Sequence, residues 1–113
     1  MPPKRTIHVD TNRILTSIAE QAAEQHTAAL ERTATYRDQE RVQVLEVAAW
    51  VPRNLEALAG KPLTPSERIR HQQAMRKLEA DGLVRLDTVH VRLTEAGRAF
   101  VDRWKSESAT PNG

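Results

Sequence analysis

The chain has 113 residues, enough for one compact domain and an appendage. Hydrophobic residues make up 39% and charged residues 28%, as in an ordinary soluble globular protein, and the net charge of +2 is modest. The lack of cysteine excludes disulfides and thiolate zinc sites, and the histidines at 8, 26, 71 and 90 have no metal-ligand spacing.

Residues 1–9 read as a flexible N-terminal arm. Met1-Pro2-Pro3-Lys4-Arg5 is not followed by a hydrophobic signal core, and no apolar run matches a membrane span. A cytoplasmic protein without membrane contact is expected. Lys4 and Arg5 suit either a frayed terminus or a minor-groove arm.

Asp10, Thr11 or Asn12 can cap a long helix over residues 10–37. Its apolar stripe is narrow: Ile14, Leu15, Ile18, Ala22, Ala29 and Leu30, interrupted by Gln25 and His26. A long helix with a thin stripe needs a partner surface. Either its own domain or a second copy would cover it, and the reading adopted is a homodimer helix.

Residues 41–51 are the most apolar segment, and their valines would suit a strand. Length and apolar positions at 44, 45, 48 and 51 favour a buried first helix of the following domain, ended or kinked by Pro52. Arg53–Ala59 predicts a short helix with Leu55 and Leu58 inward, stopped at Gly60; a proline-rich turn follows at 61–65.

Ser66 is read as the N-cap of the next helix, with Glu67 in its first turn and His71, Ala74, Met75 and Leu78 on its buried face. His71 is either a hydrogen-bonded core histidine or a ligand-facing, pH-sensitive one. Gly82 stops the helix. Leu83, Val84 and Leu86, then Val89, Val91 and Leu93, predict a two-stranded hairpin turning near Asp87-Thr88. Thr94 can cap a last helix to about Lys105, with Phe100, Val101 and Trp104 on its apolar face. Trp50 and Trp104 read as core aromatics, Trp104 alternatively as part of a dimer surface. Residues 106–113 read as a disordered tail.

Two strings stand out: Leu78-Glu79-Ala80-Asp81-Gly82-Leu83-Val84 and Leu93-Thr94-Glu95-Ala96-Gly97-Arg98. Separated by a short apolar hairpin, they make this part of the chain resemble the second half of a winged helix-turn-helix domain of bacterial transcriptional regulators. The resemblance covers roughly residues 40–105. It implies a mainly α fold with a small β-hairpin: a winged helix-turn-helix at 38–105 carrying a long N-terminal helix.

It further implies that the helix before the wing reads the major groove with the face opposite its core stripe. That face carries Ser66, Ile69, Gln73, Arg76 and Lys77, with Arg70 and Gln72 flanking. Arginine can grip guanine and glutamine adenine with two bonds each, so Gln72, Gln73, Arg70 and Arg76 form a reading set. Ile69 suits a thymine methyl or packing under the proline-rich turn. Arg68 and Lys77 suit phosphate, and Arg85 and Arg92 would bring the wing to phosphate or the adjacent minor groove. Charge leans the same way. Residues 66–105 hold nine Lys/Arg against six Asp/Glu, whereas 38–65 hold three against four.

No nucleophile motif, phosphate loop or paired metal-spaced histidines occur, so neither an enzyme nor a cofactor is expected. The expected function is sequence-specific binding of double-stranded DNA by a dimeric transcriptional regulator. The alternative is a winged-helix protein-interaction module that does not bind DNA. No ligand-binding domain is legible, and no small-molecule effector is assigned.

Overall fold

The computed structural model describes residues 9–109. The proposed contacts of Lys4 and Arg5 lie outside that range. Within it the chain is mainly helical, with a small three-stranded antiparallel sheet. The order is α1 (Thr11–Arg32), α2 (Asp38–Ala48), β1 (Val51–Pro52), α3 (Leu55–Ala59), α4 (Pro65–Ala80), β2 (Val84–Leu86), β3 (His90–Leu93) and α5 (Glu95–Ala109). The sheet runs β1-β3-β2.

The core gathers Ile14, Leu15 and Ile18 of α1 with Val51, Leu58, Met75, Leu78, Val84, Val91, Leu93 and Val101. Asp10 caps α1, its Oδ1 accepting from the Arg13 N–H at 3.0 Å. The first turns of α1 then pack against α3, α5 and the sheet. This corrects the dimer reading of the stripe. Ile14, Leu15, Ile18 and Ala29 are buried in their own chain, and Ala22 is partly buried against the core, while Leu30 is exposed. A side chain already buried in its own core has no area left to offer a partner.

The segment expected to be the buried first helix takes the opposite place. α2 stops at Ala48 and has no buried residue. Its apolar side chains point around most of the helix circumference, so no single contact can cover them. Val51 leaves the helix for β1, because the residue before a proline is pushed towards extended backbone. Pro52 follows in an edge strand, where its missing N–H costs no ladder bond. β1 pairs with β3 through Val51 opposite Val91 and Pro52 opposite His90, adding a third strand to the expected two.

Polar clamps fasten α2 to α1. Arg41 of α2 donates to the carbonyls of Thr33 (3.2 Å) and Ala34 (3.0 Å) at the end of α1. Gln25 of α1 donates from Nε2 to the carbonyls of Ala48 (2.8 Å) and Trp50 (3.0 Å) at the end of α2. Each helix thereby donates to carbonyls at or just past the C-terminal end of the other.

The two strings that carried the resemblance meet in space. Gly82, at φ +78°, closes α4 with bonds from Gly82 N–H to Glu79 O and from Leu83 N–H to Leu78 O. The Thr94 hydroxyl donates to the Gly82 carbonyl and accepts from the Gly97 N–H, and the Thr94 N–H donates to the Leu83 carbonyl. α5 passes so close that a Cβ on Gly97 would fall 1.9 Å from the Leu83 carbonyl oxygen. The β2–β3 hairpin is thus pinned between the end of α4 and the start of α5. α5 continues through Ala109, so residues 106–109 are helical rather than part of a disordered tail.

Candidate nucleic-acid interface

The candidate interface is built on α4, and its N-terminus is tighter than the sequence reading allowed. The N-cap is Thr64, not Ser66; Pro65 takes the first helical position, and Ser66 lies in the first turn. Thr64 Oγ1 accepts from the Glu67 N–H at 3.2 Å, and Glu67 Oε1 accepts from the Thr64 N–H at 3.1 Å, a complete capping box. These bonds, those to Thr64 first, hold the Glu67 carboxyl below the usual glutamate range, with Lys61 adding to the effect.

The turn before α4 is fixed by Glu56 of α3. Its Oε2 accepts from the Leu63 N–H at 3.0 Å, and its Oε1 meets Arg68 Nη2 at 3.1 Å. Gly60, at φ +75°, closes α3. Leu63 is buried, so the proline-rich stretch is anchored at both ends and in the middle. This sets the placement of α4 relative to α3.

His71, Met75 and Leu78 face the core, with Ala74 half-buried beside them. His71 is the hydrogen-bonded core histidine, its Nδ1 lying 2.8 Å from the Glu67 carbonyl. The opposite face is open. Ser66, Ile69, Arg70, Gln72, Gln73, Arg76 and Lys77 are all exposed. Ile69 is 56% exposed, so it does not pack under the turn. Among the described residues, no ion pair engages Arg70, Arg76 or Lys77.

Two expected phosphate ligands are occupied in this structure. Arg68 is drawn aside by Glu56, and the pair is exposed, so the contact is a weak one. On the β2–β3 hairpin, Arg85 and Arg92 stand directly opposite in the ladder, where like charges repel. The Arg92 guanidinium lies over the Trp50 ring, 5.7 Å from its centroid, in a cation–π contact. Arg85 is exposed and carries the outward charge of the hairpin.

Sequence reasoning missed three contributors. Trp50 holds Arg92, and Glu56 orders the turn. Arg53 braces the wing: its N–H donates to Val89 O at 2.9 Å and its Nη1 to Asp87 O at 3.1 Å. Val89, expected on the strand, therefore sits exposed in the turn at the wing tip. The signals were present as residue types. Their pairing was not, since each contact spans more than a helical turn, from seven positions for Glu56 and Leu63 to 42 for Trp50 and Arg92.

Among the described residues, no His/Cys/Asp/Glu group could hold a metal ion, and no helix is long and apolar enough to cross a membrane. A scan of protein-family models and searches of curated proteins and of solved structures gave no match to this chain.

Proposed function

We propose that this chain binds double-stranded DNA in a sequence-specific way, as a winged helix-turn-helix protein of the transcriptional-regulator type. α4 enters the major groove, and the β2–β3 wing reaches the flanking backbone through Arg85. One observation carries the reading. Arg70, Gln73, Arg76 and Lys77 lie together on the solvent face of a helix whose opposite face closes the core. Capping box, anchored turn and pinned wing give that face rigid support, as base reading requires. Gln73 and Arg76 are the bidentate readers, with Arg70 and Gln72 beside them; Lys77 supplies a phosphate contact. Arg68 serves as a further phosphate contact once it leaves its weak, exposed pairing with Glu56.

Selection of bound duplexes from a random pool, followed by titration over a salt series, tests this. A DNA reader yields a consensus sequence, and its affinity falls steeply with salt through counterion release. Gln73→Ala and Arg76→Ala should each cost about 1–3 kcal/mol of discrimination between selected and scrambled duplexes. Arg85→Ala should weaken all duplexes alike and flatten the salt slope. Failure to bind any duplex at low salt overturns the reading and leaves a protein-interaction module in its place.

A further inference from the structure

α2 is a helix of 11 residues with no buried side chain, although it carries Val42, Val44, Leu45, Val47 and Ala48. Val42 is 53% and Val47 71% exposed, and Leu30 and Tyr36 of the same hairpin are exposed too. A helix draws most of its stability from a packed apolar face, and α2 has little of one within its own chain. On one flank of α2 lies a groove of about 620 Å³ shared with α1 and α5. Its accessible walls include Ala22 and Ala23 of α1 and Val42 and Leu45 of α2, above a floor of the buried Leu93 and Val101. The small residues let another helix approach closely.

Charge identifies the occupant. Residues 20–49, which form the hairpin, hold six Asp/Glu against three Lys/Arg. One of those three, Arg41, is committed to the end of α1. The remainder, 50–109, holds eleven Lys/Arg against eight Asp/Glu, and the groove is lined by Arg92, Arg98 and Lys105 against Glu46 and Asp102, a small basic excess. An acidic, apolar helical hairpin and a groove with basic residues along it thus belong to the same chain. A second copy brings the complement of each, so the exchange is reciprocal and closes on a two-fold axis.

We propose that the chain forms a homodimer in which the α1–α2 hairpin of each copy seats in the α2–α5 groove of the other. The surface is not the Ile14–Ile18 stripe, which the core uses. The proposal extends the DNA-binding reading, since two-fold dimers present two reading helices to paired half-sites. Its test does not depend on DNA.

Sedimentation of the full chain at micromolar concentration should give a dimer that weakens as salt rises. Hydrogen exchange of the α2 amides should quicken on dilution, while the amides of the first turns of α1 stay protected. Val42→Glu and Val47→Glu, made separately, replace exposed side chains and should leave the helical circular dichroism unchanged. Each should raise the dimer dissociation constant about tenfold or more, the worth of one buried valine. A wild-type chain that stays monomeric at tens of micromolar overturns the proposal. So does a dimer indifferent to both variants with α2 exchange independent of concentration. A dimer that ignores DNA would remove only the DNA reading.

Discussion

The first turns of α1 and the whole of α2 are both apolar helix, separated by some twenty residues, yet they meet opposite ends. Ile14, Leu15 and Ile18 share one narrow face, and that face is covered on every side by α3, α5 and the sheet. Val42, Val44, Leu45 and Val47 are as apolar in sum but spread around their helix, and none is buried. The difference shows that the arc over which apolar residues lie, more than their number, decides which helix a core recruits. It also separates two kinds of attachment. α1 is held by full burial, whereas α2 keeps Val44, Leu45 and Ala48 only half-buried and is fastened at its ends by Arg41 and Gln25.

The most severe way to break this comparison is to truncate one side chain from each helix. Ile18→Ala removes a fully buried side chain and should destabilise the chain by about 2–5 kcal/mol. Val47→Ala, at an exposed site, should change folding stability by no more than about 0.5 kcal/mol when the chain is dilute enough to be monomeric. Urea denaturation of both variants measures the gap. Equal losses would show that α2 is packed as firmly as α1.

A smaller effect should come from the polar clamp. Gln25→Ala deprives the Ala48 and Trp50 carbonyls of their donor and should cost about 0.5–1.5 kcal/mol per bond at most. The loss should be local, with faster hydrogen exchange in α2 and little change in the first turns of α1. Loss of protection throughout the chain would mean that hairpin and core unfold as one unit.

The smallest effect compares helix ends. α2 begins at Arg37 without a side-chain cap, whereas α4 has its full capping box. The Glu67 carboxyl is depressed in the folded chain, so its contribution is present above the unfolded-state pKa and is lost as pH falls through the lower folded value. Acid titration followed by exchange or NMR should fray the start of α4 in that window and leave the start of α2 unchanged. Glu67→Gln should keep most of the cap at neutral pH and flatten this dependence. An unaltered acid profile in that variant would place the pH sensitivity elsewhere.

Much of the candidate site was legible because it is written locally. The i, i+3, i+4 spacing of His71, Ala74, Met75 and Leu78 fixed which face of α4 is inward, and hence which residues lie outward. Gly60, Gly82 and Thr94 marked helix ends through their own backbone and hydroxyl chemistry. By residue type Ser66 is the better N-cap, but Pro65 favours the first helical position and so moves the cap to Thr64. The occupation of Arg68 and Arg92 could not be read, since Glu56 and Trp50 lie 12 and 42 positions away in the chain.

The sequence by itself determined the helical period of α4, the glycine stops at 60 and 82, the Thr94 cap and the basic outward face of α4. All of these follow from residues within a turn or two of one another. Only the tertiary structure decided that α1 supplies the core helix, that α2 is the appendage, and that β1 completes the sheet. Those choices rest on competition between two apolar helices for one core. A local pattern shows that each helix is able to bury a face. It does not show which of them fits the space left by Leu58, Met75 and Val91.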